Sequence, residues 1–358
     1  MAECRHRQRQ STMAARVGGG HSIPDTAARS ALDDLDITGS IPARRASIAQ
    51  AAQPEPHWPT FAPPPPPRTF SFETGTRYWY STGLANFGFY NLADGDPTST
   101  LDWQNMTGHS AEGFARITHL PTGLYAKGMA GVGIMRSGQF IDRDFNSAQV
   151  AFSDTTSDIK GDRFNFAMVD VGYSFSPLPN MRLGAFVGYH YWRERMTAYG
   201  LVCNIAVAGT CTAGQLFAPY SAQVLAYEPT WHAMRLGIEG RMTFAERWSF
   251  SAEFAAVPYA SLNNKDSHLL RQSTTPPSGL GPAPNVITTS QNGVGVEAEA
   301  MFNYALTPNI EVGLGARYWG LSALKGNVTF GPSFTESYPL RKFLQQRVGF
   351  LFEIKGKF

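Results

Sequence analysis

The chain has 358 residues, a formal net charge of +2, 16% charged residues, 13% aromatics and 35 glycines. So small a net charge argues against a nucleic-acid binder, and the charged fraction is well under the roughly 25% of soluble domains. No stretch reaches the ~18 apolar residues of a membrane helix, which leaves an all-β chain with the composition of a membrane β-barrel.

Residues 1–69 show no sustained period. They carry Gly18 to Gly20, the acidic run Asp33-Asp34-Leu35-Asp36 and the prolines Pro63 to Pro67. This composition predicts a disordered leader ending in a stiff proline-rich linker, followed by a barrel domain over 70–358. An exported barrel needs a signal peptide. Ala49-Gln50-Ala51 has the form of a cleavage site, and Arg44-Arg45 could be a basic start. Only Ala46-Ser47-Ile48 lies between them, too little for an apolar region of about 7–15 residues. No signal peptide is recognisable, which stands against export.

From Phe70 onward a period of two persists. Met181, Leu183, Ala185, Val187, Tyr189 and Tyr191 alternate with Arg182, Gly184, Phe186, Gly188 and His190. Ile310, Val312, Leu314, Ala316 and Tyr318 alternate with Glu311, Gly313, Gly315 and Arg317. Such alternation gives strands with one apolar and one polar face. The polar face carries Arg and Glu together, which can pair inside a lumen. Tight turns fall at 119–123, 176–180, 244–248 and 306–309. Long polar connections fall near 90–98, 141–160, 198–224, 262–288 and 324–340. The predicted strands are 70–89, 99–118, 123–140, 161–176, 181–197, 225–244, 248–262, 289–306, 309–323 and 341–358. The fold class is a ten-stranded antiparallel transmembrane β-barrel with short periplasmic turns and long outer loops. The last strand ends on the aromatic Phe358, as in the C-terminal signal of outer-membrane barrels. The localisation that follows is the bacterial outer membrane.

Of three cysteines, Cys203 and Cys211 share one long loop, where a disulfide and two free thiols are both open; Cys4 is left over in the leader. No Cys/His metal pattern occurs.

Two rim segments carry candidate chemistry. Asp142-Arg143-Asp144-Phe145 begins the second long loop, and Asp266-Ser267-His268 begins the fourth. They extend strands 3 and 7, which face each other across a ten-stranded barrel. A carboxylate beside a His fixes its tautomer and raises its basicity, so the His can take a proton from water. Two close carboxylates share a proton. Together they could hold and activate a water for amide hydrolysis. If even-numbered residues face lipid up to Ile134 and Phe254, both pairs continue outward unless each strand is interrupted. Gly138 and Pro258 are the sites where a bulge could do this.

On these residues the sequence resembles the omptins, ten-stranded outer-membrane endopeptidases. Ser99-Thr100-Leu101-Asp102-Trp103 is similar to their second-strand Leu-Asp-Trp motif. Asp142-Arg143-Asp144-Phe145 and Asp266-Ser267-His268 resemble their catalytic Asp pair and Asp-His dyad. Arg182-Leu183-Gly184, Gly188-Tyr189 and Arg193 resemble their fifth strand. The resemblance spans residues 75–358. It implies a water nucleophile with His268 as base, Asp266 orienting it, and Asp142 and Asp144 positioning the water. It also implies lipopolysaccharide binding at Tyr189 and Arg193, with lipopolysaccharide supporting activity and no other cofactor. The substrate side departs from the family. Phe87 stands at the first-strand glutamate position, Asn264 stands two before the dyad aspartate, and Asp154 corresponds to an acid of the second subsite. These departures predict an apolar preference over dibasic cleavage. The expected partners are a peptide or protein substrate and outer-membrane lipid. The rival readings are a non-catalytic adhesin or surface-binding barrel and, third, a general porin, for which ten filled strands leave little lumen.

Overall fold

The computed structural model describes residues 68–91, 95–208, 210–275 and 279–358. The leader expected over 1–69 lies outside them, except for Arg68 and Thr69. Thirteen antiparallel strands form one sheet: β1 (Phe70–Asn91), β2 (Gly95–His119), β3 (Leu124–Phe145), β4 (Ala151–Ile159), β5 (Asp162–Leu178), β6 (Met181–Glu194), β7 (Met196–Cys203), β8 (Leu216–Thr243), β9 (Trp248–His268), β10 (Val286–Ala305), β11 (Ile310–Ala323), β12 (Asn327–Phe330) and β13 (Ser337–Lys357).

The sheet closes on itself, because β1 pairs β2 on one side and β13 on the other. Three staves consist of two strands end to end. β4 and β5 both lie along β3, β6 and β7 along β8, and β11 and β12 along both β10 and β13. The result is a ring of ten staves. Closure pairs each stave's N–H and C=O groups with its neighbours, the condition a sheet must meet inside lipid.

The turn side agrees with the sequence reading, and the outer side differs from it. Strands expected to end near the lipid run on, β3 to Phe145 and β9 to His268, while β8 begins at Leu216. The connections shrink to 146–150, 204–215, 269–285 and 331–336. Polar sequence marks where a stave leaves lipid, but the hydrogen-bond ladder continues wherever a neighbour extends alongside it.

Outward side chains form an apolar belt, with Val169, Val171, Tyr173 and Phe175 on β5 and Val348, Phe350, Phe352 and Ile354 on β13 all exposed. Aromatic residues edge it, Tyr80, Tyr189 and Tyr259 above and Phe70, Trp248, Tyr304 and Phe358 below.

Inside, the lower lumen holds paired charges. Arg317 makes a two-pronged contact with Glu112 at 2.6 and 2.8 Å and a bond to Glu299 at 2.8 Å. Arg77 reaches Glu353 at 2.6 Å, and Arg235 reaches Asp170 at 3.2 Å and Glu297 at 3.0 Å. Above this network Trp79, Trp192, Trp319, Phe164 and Phe166 meet edge to face across the lumen. A second aromatic layer follows, in which Tyr227 stacks between Trp103 at 5.3 Å and Phe343 at 5.8 Å, with Phe87 and Phe140 at its edges. Near the outer end, Cys203 and Cys211 are joined in a disulfide.

Two outcomes follow. Arg317→Met takes the two-pronged partner from Glu112, leaving it the 3.4 Å contact to Arg77, and costs about 3–5 kcal/mol, read as a lower urea midpoint of the barrel refolded in detergent micelles. Maleimide labelling of unfolded protein modifies one thiol before reduction and three after it.

Candidate active site

A strand presents alternate residues to opposite faces, so one extra residue turns every later side chain over. That happens in β3 and β9. On β3 the inward residues are odd-numbered through Met135 and even-numbered from Phe140. The β2–β3 register slips where Thr107 faces Ser137 and Gly108 faces Met135, leaving Arg136 extra. On β9 the inward residues are odd through Val257 and even from Ala260. There the β8–β9 register slips between Met234 and Leu236, opposite Tyr259 and Ala256. The second break sits at Pro258, where the missing N–H suits a bulge. The first sits at Arg136–Ser137, just ahead of the Gly138 expected from sequence. Two neighbouring staves are reset as well, β2 around Asn105 at a φ of 53° and β4–β5 at Gly161 with a φ of 69°.

Both acidic pairs therefore point into the outer mouth, from strands and not from loops. Asp142 lies beside Leu101 and Thr155, and Asp144 beside Ser99 and Ser153. Asp266 lies beside Tyr227 and Val286. Asp142 is eight residues past the belt residue Ile134, roughly 20 Å above it for a stave tilted about 40°.

The electrostatics tie the two pairs together. Burial, then the Asp144 charge, pushes the Asp142 carboxyl up to about 8, while His268 and Arg271 oppose the shift and Asp266 adds to it. Asp144 is also raised by burial, against a hydrogen bond from Ser99 and the charges of His268 and Arg271. His268 is raised above the ordinary histidine value: burial works against its charge, but Asp266 and Asp142 outweigh it. Its Nε2 lies 3.2 Å from Asp266 Oδ2. Asn285 fixes its backbone from both sides, accepting from His268 N at 2.8 Å and donating to His268 O at 3.2 Å. Asp142 Oδ1, Asp266 Oδ1 and the Tyr227 hydroxyl are buried with no hydrogen-bond partner among the described residues. Among those residues, no three His, Cys, Asp or Glu side chains are grouped so as to hold a metal ion.

The other residues singled out from the sequence are placed differently. Asp154 pairs directly with Arg143, on the face of β3 opposite Asp142 and Asp144. It accepts from Arg143 Nε at 3.0 Å and from Asn204 Nδ2 at 2.6 Å, so it braces the outer wall and does not enter the mouth. Phe87 and Asn264 point inward and are buried, Phe87 in the second aromatic layer and in the row of Asp142 through Leu101, and Asn264 one inward position below Asp266, accepting from Glu228 N at 3.2 Å. Tyr189 and Arg193 face outward near the upper edge of the belt, and Arg193 is ion-paired with Glu228 of the neighbouring stave. In the Leu-Asp-Trp stretch, Leu101 and Trp103 are core and Asp102 pairs with Arg143 at 3.3 Å. Sequence reading missed Tyr227, Asn285 and Arg271. Ser99 stood at the head of a quoted motif but had no role assigned to it.

The ring of ten staves with this filled lumen is an outer-membrane β-barrel fold. It superposes on the crystal structure of the outer-membrane protease OmpT from Escherichia coli with a TM-score of 0.65, at 14% identity, over 80% of this chain and 97% of that one. The β domain of the Bordetella autotransporter BrkA matches at a TM-score of 0.29 and 10% identity, over 81% of this chain and 99% of that one. The Ralstonia pickettii toluene transporter TbuX matches at 0.26 and 10%, over 82% and 90%. No family model and no curated protein matches the sequence.

The raised Asp142 value makes a stability prediction. The folded state keeps a proton that the unfolded chain has already lost above about pH 4. This group's contribution to stability is therefore present below that pH and falls as pH rises toward 8. Asp142→Asn should flatten that part of the profile, with the variant's melting temperature gaining a few degrees on the parent at pH 8 and little at pH 4.

Proposed function

We propose that this chain is an omptin-like endopeptidase of the bacterial outer membrane, hydrolysing peptide bonds at its outer mouth with an activated water. Asp266 accepts the Nε2 proton of His268, which leaves the Nδ1 lone pair to take a proton from the water. The hydroxide adds to the carbonyl carbon, and His268 returns the proton to the departing amine. Asp142 and Asp144 hold the water and share one proton, which they offer to the carbonyl oxygen as its charge grows. The observation that carries this reading is the pair of bulges. Two separate one-residue interruptions turn four groups of complementary chemistry into one mouth, where Asp142 feels the charges of Asp144, His268 and Asp266. Tyr189 and Arg193 would contact lipopolysaccharide from the outward face, with the Arg193–Glu228 pair opening toward a phosphate.

A second reading, a surface-binding barrel without catalysis, is favoured by the apolar side chains that the projecting staves expose, Phe152, Leu216, Phe217 and Tyr220.

The test is to refold the barrel with lipopolysaccharide and incubate it with a mixed peptide library, beside His268→Ala. Cleavage by the parent should fall about 10²–10⁴-fold in the variant. The rate should climb through the His268 value, above 6.5, because only the neutral imidazole takes a proton. It should decline above about 8, as the Asp pair loses its shared proton. Asp266→Asn should move the rising limb to lower pH, since it removes the charge that holds His268 up. No cleavage by a correctly folded barrel would leave the surface-binding reading.

A further inference from the structure

Next to the acidic mouth lies an aromatic surface that the proposed chemistry does not use. Phe89 on β1, Phe330 on β12 and Tyr338 on β13 are each half-buried. Their ring centroids are 5.2 Å apart for Phe89–Phe330, 5.9 Å for Phe89–Tyr338 and 5.6 Å for Phe330–Tyr338. All three pairs are tilted or edge to face, with interplanar angles of 57°, 53° and 77°. A cup of rings so tilted can meet a further ring by face or by edge.

The register shows where the cup lies relative to the reacting groups. Phe89 pairs with Ser99, which pairs with Asp144. Phe330 pairs with Val286, which pairs with Asp266. Directly paired residues share a face, so Phe89 lies on the inner face with Asp144, and Phe330 on the inner face with Asp266. The cup is two staves from each acid, about 10 Å away, within reach of a side chain on a strand-like substrate lying across the mouth.

The charges around the cup favour one occupant. Paired out from Asp144 the row runs Ser99, Phe89 and Leu340, and paired out from Asp266 it runs Val286 and Phe330; Tyr338, paired with Val328, lies at a third level, and no residue of this stretch is charged. Beneath it are the buried Phe87, Leu101 and Phe343. Glu336, exposed in the 331–336 connection, accepts from the Tyr338 hydroxyl at 2.8 Å. A lysine or arginine side chain laid against the three rings would give up its hydration beside one carboxylate, Glu336, that the Tyr338 hydroxyl already engages, whereas an aromatic side chain gives up no charge hydration there.

We propose that Phe89, Phe330 and Tyr338 form the specificity subsite of this barrel and that it takes an aromatic side chain of an extended peptide. The inference rests on the endopeptidase reading for its substrate class, and it is tested by binding so that the two can fail separately. The probes are fluorescein-labelled decapeptides identical except at one central position, which is Phe, Lys or Ala. Anisotropy is measured on the refolded full-length His268→Ala barrel, where turnover does not interfere. The Phe peptide should bind at least tenfold more tightly than the Lys and Ala peptides. Phe330→Ala and, separately, Tyr338→Ala should bring that ratio to within threefold, and Phe330→Tyr should keep it. Each variant is first checked for the gel-mobility difference between heated and unheated barrel, so a folding defect is not read as lost binding. Equal binding of the three peptides, preference for Lys, or a Phe preference that survives both alanine variants would overturn the subsite. Cleavage by the parent barrel at non-aromatic positions would overturn it while leaving the peptidase standing. A Phe preference in binding without cleavage by the parent would support the subsite and sink the peptidase.

Discussion

A side chain on a strand has two choices of direction, and in a membrane barrel one of them faces hydrocarbon or the outer wall. The rest of this structure depends on how that constraint is met at two points. β3 and β9 cross the membrane in one phase, with Val132, Ile134 and Phe254 outward. Above it they run in the opposite phase, with Asp142, Asp144, Asp266 and His268 inward. Each change takes a single extra residue. Because neighbouring staves must keep their pairing, β2 and the β4–β5 stave are reset at the same level. On the other side β10 slips between Ser290 and Gly293, while β1 and β8 keep odd-numbered residues inward through that level, so the change of phase is taken up by part of the ring. It falls where the wall leaves the lipid and where outward polarity stops being costly.

Below that level the lumen carries a different load. The charges inside the belt are matched in extended groups. Glu112 and Glu299 each serve both Arg77 and Arg317, and Glu253 serves both Lys127 and Arg235. Shared partners link staves that are not adjacent in the sheet. They resist collapse of the ring in the directions that hydrogen bonding between neighbours does not control. The two aromatic layers above supply the dry packing that the charged section lacks. The candidate site rests on the upper of these, since Tyr227 belongs both to the aromatic stack and to the row that holds Asp266.

The sequence made the membrane section legible because lipid enforces alternation there, and segments such as 181–191 and 310–318 can be read residue by residue. It made the rim much less legible. Once outside lipid, a strand no longer needs an apolar face, so the polar residues of 141–145 and 262–268 look like loop. The break at Pro258 was visible because proline is rare inside a paired strand. The break at Arg136–Ser137 involves ordinary residues, and the unusual backbone it requires falls on Asn105 of the neighbouring stave. Asp154 shows the cost of missing a break. Counted back from β5, where even residues point inward, it belongs in the mouth; the interruption at Lys160–Gly161 reverses the count and sends it to the outer wall. The pairing of Cys203 with Cys211 was open from sequence, and the geometry of the β7–β8 connection joins them.

The floor of the mouth is solid. Trp103, Tyr227 and Phe343 close it, and Trp79, Trp192 and Trp319 close it again below. Among the described residues the upper barrel is therefore a basin closed below, and whatever comes in from above must leave by the route it took. A polypeptide can only be laid across such a basin, with both ends outside, and cannot be threaded through it. Chain length then sets no limit on what is accommodated, and the acidity felt at the bottom is that of the medium onto which the mouth opens.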